Sequence, residues 1–589
     1  MSTMSAGASP VSDQAIHCCP SHYAEAFKLM EVMQRRQELC DVTLNVGDTV
    51  IHAHKVVLAA TIPYFHAMFT NEMVEKKSGD IHIHDVDAQA LRLLVEYSYS
   101  SEVTVTEENV QVLLPAACLL QVTAVRDACC RFLMKQLHPS NCLGIRRFAD
   151  THSCTELLKL SQQFIMQNFV EVCETEEFVL LPPADLKALI SSEELNISCE
   201  EQVYQSVAKW IKHDLPQREC YIAELLSCVR LPLLSRDFLM NTVATEVILQ
   251  NNSQCKDLLI EAMRYHLMPE KRFTLQSQRT CVRKSVNLKP VLFAVGGGSL
   301  FAIHSECECF DPATEQWTTI ASMYTRRSRS GIAEAYGKIY AVGGYDGSTD
   351  LCTAECYNTK TNRWARIPSM GTKRSCLGVC GWNGLIFAVG GYDGASCLNS
   401  VERFDPLTST WTSVAAMSLR RRYLKAVVLD NCVYAVGGYD GSAHLSSLEK
   451  YDPQTNKWTS LPSMISRRSN PGVAVLDGMI YACGGSDGTN CLSSVERYNP
   501  RRNMWEAVAS MHSRRSTHDV VSVEGALYAV GGNDGSTSLH SMERYNPKSN
   551  RWQMLPPMSF RRSSVATTCI PLDKSKVFVQ DSKHRRDSR

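Results

Sequence analysis

The feature that most constrains the fold of this chain is a segment that recurs six times at intervals of 47 residues. A double glycine opens each recurrence, at Gly296, Gly343, Gly390, Gly437, Gly484 and Gly531. A tryptophan keeps the same interval, at Trp317, Trp364, Trp411, Trp458, Trp505 and Trp552. A basic couple follows each tryptophan, at Arg326–Arg327, Lys373–Arg374, Arg420–Arg421, Arg467–Arg468, Arg514–Arg515 and Arg561–Arg562. Three independent markers in one register indicate six copies of one structural unit.

The glycine-rich segments, such as YAVGGYDGS at 340–348, also raise the question of a phosphate-binding loop. Such a loop has the spacing G-x-x-x-x-G-K-[ST], or G-x-G-x-x-G before a helix. In this chain Asp or Ser follows the glycines, and another strand-like run comes next. The pattern therefore argues against a nucleotide site of either kind.

Each unit predicts four short strands. In 331–370, two apolar runs flank a Gly-Lys turn, and two more flank Asn-Thr-Lys-Thr-Asn. A lone sheet of this kind cannot bury its faces, whereas six sheets around one axis can. The double glycine allows close backbone approach near that axis, and the indole fills the space between sheets. The first unit, starting at 291, lacks the opening strand of the others, and 561–570 matches that strand. The sequence therefore predicts a closed six-bladed β-propeller over 290–570, in which the last strand completes the first blade and removes an open edge.

The N-terminal half of the chain differs from the repeats in its glycine content. Between residues 80 and 295 the only glycine is Gly144, which predicts helices there.

Basic and acidic residues balance at 61 each, so charge does not favour nucleic acid or an anionic membrane as a partner. No apolar run reaches the roughly 18 residues of a membrane span, and the N-terminus lacks a secretory-signal pattern. The 25 scattered cysteines are then expected to be reduced, in the cytosol.

The C-terminal units resemble kelch repeats in their double glycine, the upstream Tyr or Phe and the downstream Trp. Segments 291–304 and 391–417 resemble actin-associated members of that family most closely. Two positions depart from the pattern. The first unit has GGGSLFAIHS without the Asp-Gly that follows the other glycine pairs, and Glu334 stands in a run that is usually apolar. Both departures are expected to alter one sector of the binding face.

Residues 21–77 show a different pattern. A helical stripe, beginning near the N-cap Ser21, is formed by Tyr23, Phe27, Met30 and Met33. Val42, Leu44 and Val46 alternate as a strand, Gly47-Asp48 turns it into a second strand, and Pro63 interrupts a helical run. With the segments LCDV, AHKVVLAA and PYFHAMF, this pattern resembles a BTB/POZ domain over 22–137.

The BTB resemblance implies two interfaces. In that family the first helix and strand form an obligate homodimer, and Asp41 and Lys55 fall at the charged positions that meet at its centre. The alternatives are a local cap or turn for Asp41 and a solvated charge for Lys55, since surface ion pairs are weak. The apolar-x-Glu motif that contacts cullin-3 in many members is found at Met73 and Glu75, and Phe69 is assigned to the same surface. An apolar anchor beside an acid suits that role, and the alternative is a helix end with an ordinary surface glutamate.

Residues 138–273 resemble the BACK domain of kelch-like proteins, through segments such as TEEFVLLP and ELNISCEEQVYQSVAKWIKHD. Helical spacing is clear at Val203, Val207, Trp210 and Ile211. The resemblance implies that the first helices, near 141–158, extend the cullin surface and that the rest is a rigid spacer. Residues 274–289 predict a polar linker, while 1–21 and the basic 571–589 are expected to be disordered.

Two sets of markers fall at strand ends, and therefore in loops on one rim of the propeller. One set is the second residue of each basic couple: Arg327, Arg374, Arg421, Arg468, Arg515 and Arg562. The other set follows the double glycine: Tyr345, Tyr392, Tyr439, Ser486 and Asn533. In kelch adaptors such positions grip a peptide, with Arg binding carboxylates and Tyr supplying apolar area.

A structural ion pair in every blade would produce the same six-fold pattern. Positions that break the symmetry are therefore better candidates for specificity: Ser486, Asn533, Arg329, Tyr423 and His518.

No motif for bond chemistry stands out: HExxH, GxSxG and a close CxxC pair are not evident. The pairs His52/His54 and His82/His84 alternate like metal ligands but lack companion ligands, so we interpret them as strand histidines. Some kelch-type propellers are copper oxidases, but a copper site needs convergent His and Tyr ligands. The propeller has few histidines: His304, His444, His512, His518 and His540. We expect no catalytic residue, metal or cofactor.

The sequence thus predicts a multidomain protein with an α+β BTB domain, an all-α BACK domain and an all-β six-bladed kelch propeller. We expect a non-catalytic, cytoplasmic, homodimeric adaptor of a cullin-3 RING ubiquitin ligase. The BTB and BACK domains are expected to bind cullin-3, and the propeller to bind the protein substrate. The alternative is an actin-binding scaffold associated with the cytoskeleton.

Overall fold

The computed structural model describes residues 21–70, 79–283, 289–299 and 302–572. The chain forms two compact units, Met1–Leu180 and Leu181–Arg589. Within the described ranges, every helix is too short or too polar to cross a bilayer. The ends predicted to be disordered lie outside these ranges, apart from Ser21, Pro571 and Leu572, and the last two residues continue a strand.

The first unit combines a three-stranded sheet with helices. Its strands are β1 (Val42–Val46), β2 (Thr49–Ala53) and β3 (Asp80–His82). Its helices are α1 (His22–Arg35), α2 (Lys55–Thr61), α3 (Pro63–Thr70), α4 (Ala88–Ser100), α5 (Val110–Leu119), α6 (Thr123–Lys135), α7 (Cys142–Thr151), α8 (Thr155–Gln167), α9 (Phe169–Val172) and α10 (Glu176–Val179). Strand β1 pairs antiparallel with β2 and parallel with β3.

Local sequence explains these elements. The side chains of Val42, Leu44 and Val46 are buried while those between them are half-buried, which confirms the predicted strand β1. Gly47 adopts a φ of +54° in the turn to β2. Helix α2 ends before Ile62, whose backbone is extended as the residue before a proline prefers, and α3 begins at Pro63.

The second unit begins with helices. They are α11 (Pro183–Ser191), α12 (Glu201–His213), α13 (Leu215–Arg218), α14 (Ile222–Cys228), α15 (Arg236–Phe238), α16 (Val247–Gln250) and α17 (Ser253–Leu267). Short 3₁₀ turns (Glu219–Tyr221, Leu231–Leu233, Pro269–Lys271 and Gln278–Thr280) and a π-helical segment (Leu239–Val243) join them. As predicted, Val203, Val207, Trp210 and Ile211 are buried on α12.

The described C-terminal strands form six four-stranded antiparallel sheets, here called blades. Blade 1 is β27 (Ala566–Leu572), β4 (Lys289–Val295), β5 (Cys307–Asp311) and β6 (Gln316–Ile320), and blade 2 is β7 (Gly331–Ala335), β8 (Lys338–Val342), β9 (Ala354–Asn358) and β10 (Arg363–Ile367). Blade 3 is β11 (Gly378–Trp382), β12 (Leu385–Tyr392), β13 (Cys397–Asp405) and β14 (Thr410–Val414), and blade 4 is β15 (Lys425–Leu429), β16 (Cys432–Val436), β17 (Leu448–Asp452) and β18 (Lys457–Leu461). Blade 5 is β19 (Gly472–Leu476), β20 (Met479–Cys483), β21 (Val495–Asn499) and β22 (Met504–Val508), and blade 6 is β23 (Asp519–Val523), β24 (Ala526–Val530), β25 (Met542–Asn546) and β26 (Arg551–Leu555).

The blades close into a ring. Strand β27, from the end of the propeller, pairs antiparallel with β4, from Ala566 opposite Val295 to Leu572 opposite Lys289. The innermost strands of neighbouring blades contact one another around the axis, and β27 contacts both β23 and β7. The predicted closure is confirmed, and it pairs the strand edge that blade 1 would otherwise expose.

The repeated glycines and tryptophans join neighbouring blades. Gly343 has a φ of +61°, and a Cβ atom there would lie 2.2 Å from the carbonyl oxygen of Arg374, so only glycine fits. The Trp364 Nε1–H donates to the carbonyl oxygen of Ala321, beyond the last strand of blade 1, at 2.9 Å. The same indole packs beside Tyr357, with ring centroids 5.2 Å apart. Each tryptophan therefore bridges its own blade and the preceding one.

The polar segment before the propeller is packed against both of its neighbours. The guanidinium of Arg272 is buried and donates to Asp405 of blade 3 at 2.6 Å. The buried Arg283 donates to the Glu200 carboxylate at 2.5 Å and to the carbonyl oxygen of Ser192 at 2.8 Å. These charge-assisted bonds fix residues 272–283 between helices α11–α17 and the propeller.

Candidate functional site

The second residue of each basic couple, an arginine in every blade, lies inside the propeller. These six residues are 0% exposed: Arg327, Arg374, Arg421, Arg468, Arg515 and Arg562. A guanidinium without exposed surface cannot touch a bound protein, so the structure contradicts their assignment to the substrate-binding face. Each forms an ion pair with a glutamate instead. This is the alternative, a structural ion pair in every blade, that the six-fold repetition also allowed.

Arg421 shows what this ion pair does. Its carbonyl oxygen accepts the backbone N–H of Gly391 in blade 3, at 2.8 Å. Its guanidinium reaches into blade 4, where it donates to Glu449 at 2.9 Å and to the carbonyl oxygen of Gly437 at 2.8 Å. It also donates to the Ser447 hydroxyl at 2.8 Å. Burial lowers the pKa of Arg421, and the Glu449 charge opposes that effect. Each of these arginines therefore fastens one blade to the next.

The arginine–glutamate pair at the ring-closing seam, where blade 6 meets blade 1, has the longest contact of the six. Arg562 lies 3.5 Å from the Glu308 carboxylate of blade 1, whereas the other five pairs lie between 2.6 and 3.0 Å. Glu306 replaces the hydroxyl residue of the other blades and offers only its carbonyl oxygen, at 2.8 Å. Nε and Nη2 of Arg562 consequently find no hydrogen-bond partner among the described residues.

The residues that follow the double glycines lie on one face of the propeller. We call this the binding face, and it consists of those turns and the interblade loops beside them. Its five predicted residues are half-buried: Tyr345, Tyr392, Tyr439, Ser486 and Asn533. Each pairs with the preceding interblade loop, as when the Tyr439 N–H donates to the Arg422 carbonyl oxygen at 2.8 Å. Their contact with a substrate stays a prediction.

Aspartates hold these turns in place. In blade 4, Oδ1 of Asp440 accepts the backbone N–H groups of Ser442 and Ala443, both at 2.7 Å. These bonds stabilise the carboxylate and lower the pKa of Asp440. The carboxylates that follow the tyrosines are therefore engaged within their own turns.

The propeller axis opens on the binding face through a ring of six residues, one from each interblade loop. All six have a φ between +51° and +58°: Arg329, Cys376, Tyr423, Asn470, Thr517 and Ser564. Four neighbouring pairs are joined through the backbone, as when the Tyr423 N–H donates to the Cys376 carbonyl oxygen at 2.8 Å. The ring surrounds a cavity of about 40 Å³. Because the backbone is shared and the side chains differ, Arg329 and Tyr423 remain candidates for specificity.

Below this ring the axis is occupied by side chains. His518 is 1% exposed, which contradicts its prediction as a specificity residue at the surface. Burial, with Arg515 and Lys425 nearby, holds the pKa of His518 well below its usual value.

Lys425 forms a cross-axis ion pair that sequence reasoning missed. Its Nζ, from blade 4, lies 2.8 Å from Oδ1 of Asp519 in blade 6, past Gly472 of blade 5. The sequence could have indicated this pair, because the other four repeats have a small residue at the position of Lys425 and Asp519: Gly331, Gly378, Gly472 and Ala566.

Arg422 is a second residue that sequence reasoning missed. The five other blades have serine at this position: Ser328, Ser375, Ser469, Ser516 and Ser563. Its guanidinium carbon lies 5.0 Å from the ring centroids of both Tyr392 and Tyr439, and 5.3 Å from that of Tyr423. We call Tyr392, Arg422, Tyr423 and Tyr439 the arginine–tyrosine cluster.

Of the two departures from the kelch pattern, one lies at the binding face. Gly298 pairs with Ser563 of the loop before the closing strand, so the variant segment of blade 1 borders this face. Glu334 lies at the other end of β7, where its Oε1 accepts the Gly337 N–H at 2.8 Å. The expectation that Glu334 alters the binding face is therefore wrong.

In the first unit, Asp41 has a local role. Its Oδ1 accepts the backbone N–H of Lys55, the first residue of α2, at 2.7 Å. This is the capping role that stood as the alternative to a dimer contact. The Lys55 ammonium lies 5.5 Å from the Phe69 ring centroid, and Phe69 stacks on Phe65 with centroids 5.8 Å apart. Met73 and Glu75 lie outside the described residues, and the interface roles of all five predicted residues stay predictions.

Among the described residues, no group of three His, Cys, Asp or Glu side chains is placed to hold a metal ion. The histidines that alternate near β2 bond elsewhere. Nδ1 of His54 lies 2.8 Å from the Tyr99 hydroxyl, and Nδ1 of His52 lies 3.3 Å from the Thr43 hydroxyl.

Comparison with protein families assigns a domain to most of the chain. The BTB/POZ domain matches residues 30–137, and the domain described as BTB And C-terminal Kelch (BACK) matches 142–244. The KLHDC2/KLHL20/DRC7 kelch-repeats domain matches 282–466, and the kelch motif matches 467–512 and 514–559.

Individual relatives agree with this assignment. Kelch-like protein 17 of Mus musculus is 56% identical over 317 residues, which are 54% of this chain and 50% of that protein. Kelch-like protein 3 of Homo sapiens is 48% identical over 344 residues, 58% of each chain, and human Kelch-like protein 2 is 48% identical over 330 residues, 56% of each. The chain thus spans only about half the length of the curated relatives it matches. Kelch-like protein 17 is actinfilin, so the resemblance of 291–304 and 391–417 to actin-associated members is confirmed.

Proposed function

Since the chain belongs to the BTB-BACK-kelch family of kelch-like proteins, we propose that it is the substrate-recognition adaptor of a cullin-3 RING ubiquitin ligase. The observation that carries the proposal is the domain order, in which BTB and BACK matches at 30–137 and 142–244 precede a closed propeller. In this role the chain performs no bond chemistry. It raises the effective concentration of a substrate beside the ubiquitin-conjugating enzyme in the cytoplasm.

The exposed side of α1 supports a homodimer. Phe27 and Met30 pack against the core of the first unit, whereas Tyr23 and Leu29 are 77% and 62% exposed. Apolar side chains left in solvent along one helix are typical of a surface that a partner covers. In the dimer the Asp41 and Lys55 pairs meet near the centre, and two propellers give a second grip on the substrate.

Cullin-3 contacts the BTB domain at Met73 and Glu75 in this proposal. Phe69 stacks on Phe65 and is half-buried, so part of its ring is accessible to a partner. A buried apolar anchor with an adjacent carboxylate that sets orientation is a common interface design. The helices near residues 141–158 extend that surface.

The substrate contacts the binding face of the propeller. Its residues are half-buried and fixed by their turns, and two of the five depart from tyrosine, which suits selective binding: Tyr345, Tyr392, Tyr439, Ser486 and Asn533. The six buried arginines support this face from within and do not contact the substrate.

The test is capture of cullin-3 by the full-length protein. The double variant Met73→Ala/Glu75→Ala should lose cullin-3, because an interface depends on a few central anchors. The matched control is Lys77→Ala, which changes a nearby charge outside the motif. Cullin-3 retained by the double variant at the wild-type level would contradict the proposal.

One alternative is an actin-binding scaffold associated with the cytoskeleton. The 56% sequence identity to Kelch-like protein 17, which is actinfilin, favours it. Co-sedimentation of the full-length protein with actin filaments tests it. A scaffold should pellet with filaments equally well with or without Met73 and Glu75. Failure to pellet at filament concentrations well above the protein concentration would exclude the alternative.

A further inference from the structure

Glu334, the departure from the kelch pattern that lies away from the binding face, lines a cavity at the other end of the blades. In the other five blades the equivalent residue carries no charge: Gly381, Val428, Val475, Ser522 and Cys569. The cavity has a volume of about 250 Å³. A single water molecule needs only about 10–15 Å³, so the cavity has room for a small organic molecule.

Two parts of the second unit form the walls of this cavity. The tight turns after the first strands of blades 2 and 3 contribute Tyr336 and Asn383. The end of α17 and the segment after it contribute Tyr265 and Arg272, which are 5% and 1% exposed. Because the Arg272–Asp405 ion pair fixes this segment to blade 3, the walls are preformed, as in most ligand sites. Exposed residues of both parts leave the cavity open to solvent: Gln276, Cys281 and Glu334.

Two polar atoms in the walls lack partners. The Tyr336 hydroxyl oxygen and Nδ2 of Asn383 are buried, and neither has a hydrogen-bond partner among the described residues. An unpaired buried polar group is costly, so such groups in native structures are satisfied by water or by a ligand.

Glu334 lacks a counter-charge. Its Oε1 accepts the Gly337 N–H, but no Lys, Arg or His of the described residues interacts with its carboxylate. Arg272, the cation that also lines the cavity, is paired with Asp405. Desolvation raises the pKa of Glu334, which is the direction expected for a carboxylate that loses water without gaining an opposite charge. The missing group is therefore a positive charge.

We propose that this cavity binds a small organic cation, a primary amine or a guanidine, whose charged nitrogen donates to the Glu334 carboxylate. The far end of the ligand accepts a hydrogen bond from Nδ2 of Asn383. The charge-assisted bond supplies most of the affinity, and the Asn383 donor selects ligands that carry an acceptor. The site is separate from the binding face, and the proposal does not depend on the proposed function.

Isothermal titration calorimetry of the full-length protein tests the charge requirement. The probes are three amines, tyramine, histamine and agmatine, and two analogues of tyramine that lack its positive charge. Tyramine should saturate one site and bind at least about tenfold more tightly than 4-ethylphenol, which lacks the amine. The anionic analogue, 3-(4-hydroxyphenyl)propionate, should bind more weakly still, since its carboxylate meets Glu334.

Three variants locate the contacts. Glu334→Gln keeps an acceptor for the Gly337 N–H and should weaken tyramine binding at least about tenfold. The matched control Asp477→Asn removes a charge from the corresponding end of blade 5, outside the cavity, and should change affinity by no more than about twofold. Asn383 has a φ of +47°, which glycine tolerates. Asn383→Gly should therefore weaken tyramine about fivefold but leave phenethylamine, which lacks the hydroxyl, unchanged.

Thermal unfolding gives a second readout. Tyramine should raise the Tm of the wild-type protein and leave that of Glu334→Gln unchanged, because a ligand stabilises only the fold that binds it. Unfolding without ligand confirms that each variant is intact.

Three results would overturn the proposal. One is that none of the three amines saturates a single site at concentrations up to about 10 mM. Another is that 4-ethylphenol binds as tightly as tyramine, which would mean that the carboxylate is satisfied by water alone. The last is that Glu334→Gln binds tyramine as the wild-type protein does.

Discussion

Replacing Glu449 with glutamine tests the claim that buried arginines fasten the blades together. Glu449 is 1% exposed, and its carboxylate accepts Arg421 Nη2 at 2.9 Å and Nε at 3.2 Å. It also accepts the backbone N–H of Ser418 at 2.8 Å. Glutamine keeps the shape of the side chain but leaves the buried guanidinium without its opposite charge.

The expected cost follows from that uncompensated charge. Removing one partner of a buried ion pair destabilises a fold by about 3–5 kcal/mol. The equivalent change at the seam, Glu308→Gln, should cost less, because Arg562 lies 3.5 Å away and its Nε and Nη2 already lack hydrogen-bond partners. Since hydrogen bonds to charged groups contribute about 1.5–3 kcal/mol each, the difference between the two variants should be of that order.

Differential scanning calorimetry of the full-length protein measures both effects. At about 2 °C per kcal/mol for a domain of this size, Glu449→Gln should lower the Tm of the propeller transition by about 6–10 °C. Glu308→Gln should lower it by roughly 3 °C on the same scale. The two variants share a residue type, a strand position and a blade architecture, so each controls for the other.

The reasoning is refuted if both variants lower the Tm equally, or if Glu449→Gln leaves it within about one degree of wild type. Equal shifts would mean that the shorter contacts of Arg421 add nothing. An unchanged Tm would mean that the buried charge is compensated without its glutamate.

Two further predictions concern the ring closure and the buried histidine. A chain ending at Met558 lacks β27, so blade 1 loses its innermost strand and the whole propeller should unfold at a lower temperature in calorimetry; an unchanged Tm would contradict the closed-ring account. His518→Leu, which introduces the residue that Leu377 and Leu424 provide in blades 3 and 4, should flatten the pH dependence of stability. The lowered pKa of His518 means that wild-type stability is complete above the unfolded value near 6.5 and is lost as the pH falls below it, by up to about 1.4 kcal/mol per pH unit. Urea unfolding at several pH values between 7.5 and 5 measures the difference, and equal slopes for the two proteins would show that His518 is not responsible.

Much of the fold was predictable because it is written in local or repeated patterns. The alternation at Val42, Leu44 and Val46 predicted β1, and Pro63 predicted the break between α2 and α3. The closing strand was predictable because blade 1 lacks one strand in sequence and the last unit has one to spare. The candidate site was harder to predict, since an arginine repeated in all six blades has the same sequence pattern whether it binds a substrate or an internal glutamate.

The sequence by itself determined the number of blades, their strands and the closure of the ring, because a 47-residue interval shared by three markers leaves one consistent stacking. Only the tertiary structure decided which residue of each basic couple is buried and which is exposed, because that depends on a glutamate of the next blade, such as Glu449 for Arg421. It also brought Lys425 of blade 4 to Asp519 of blade 6, and Arg422 between two tyrosines of different blades. Burial and pairing arise from distant segments that meet only when the ring has closed, and no local pattern contains that information.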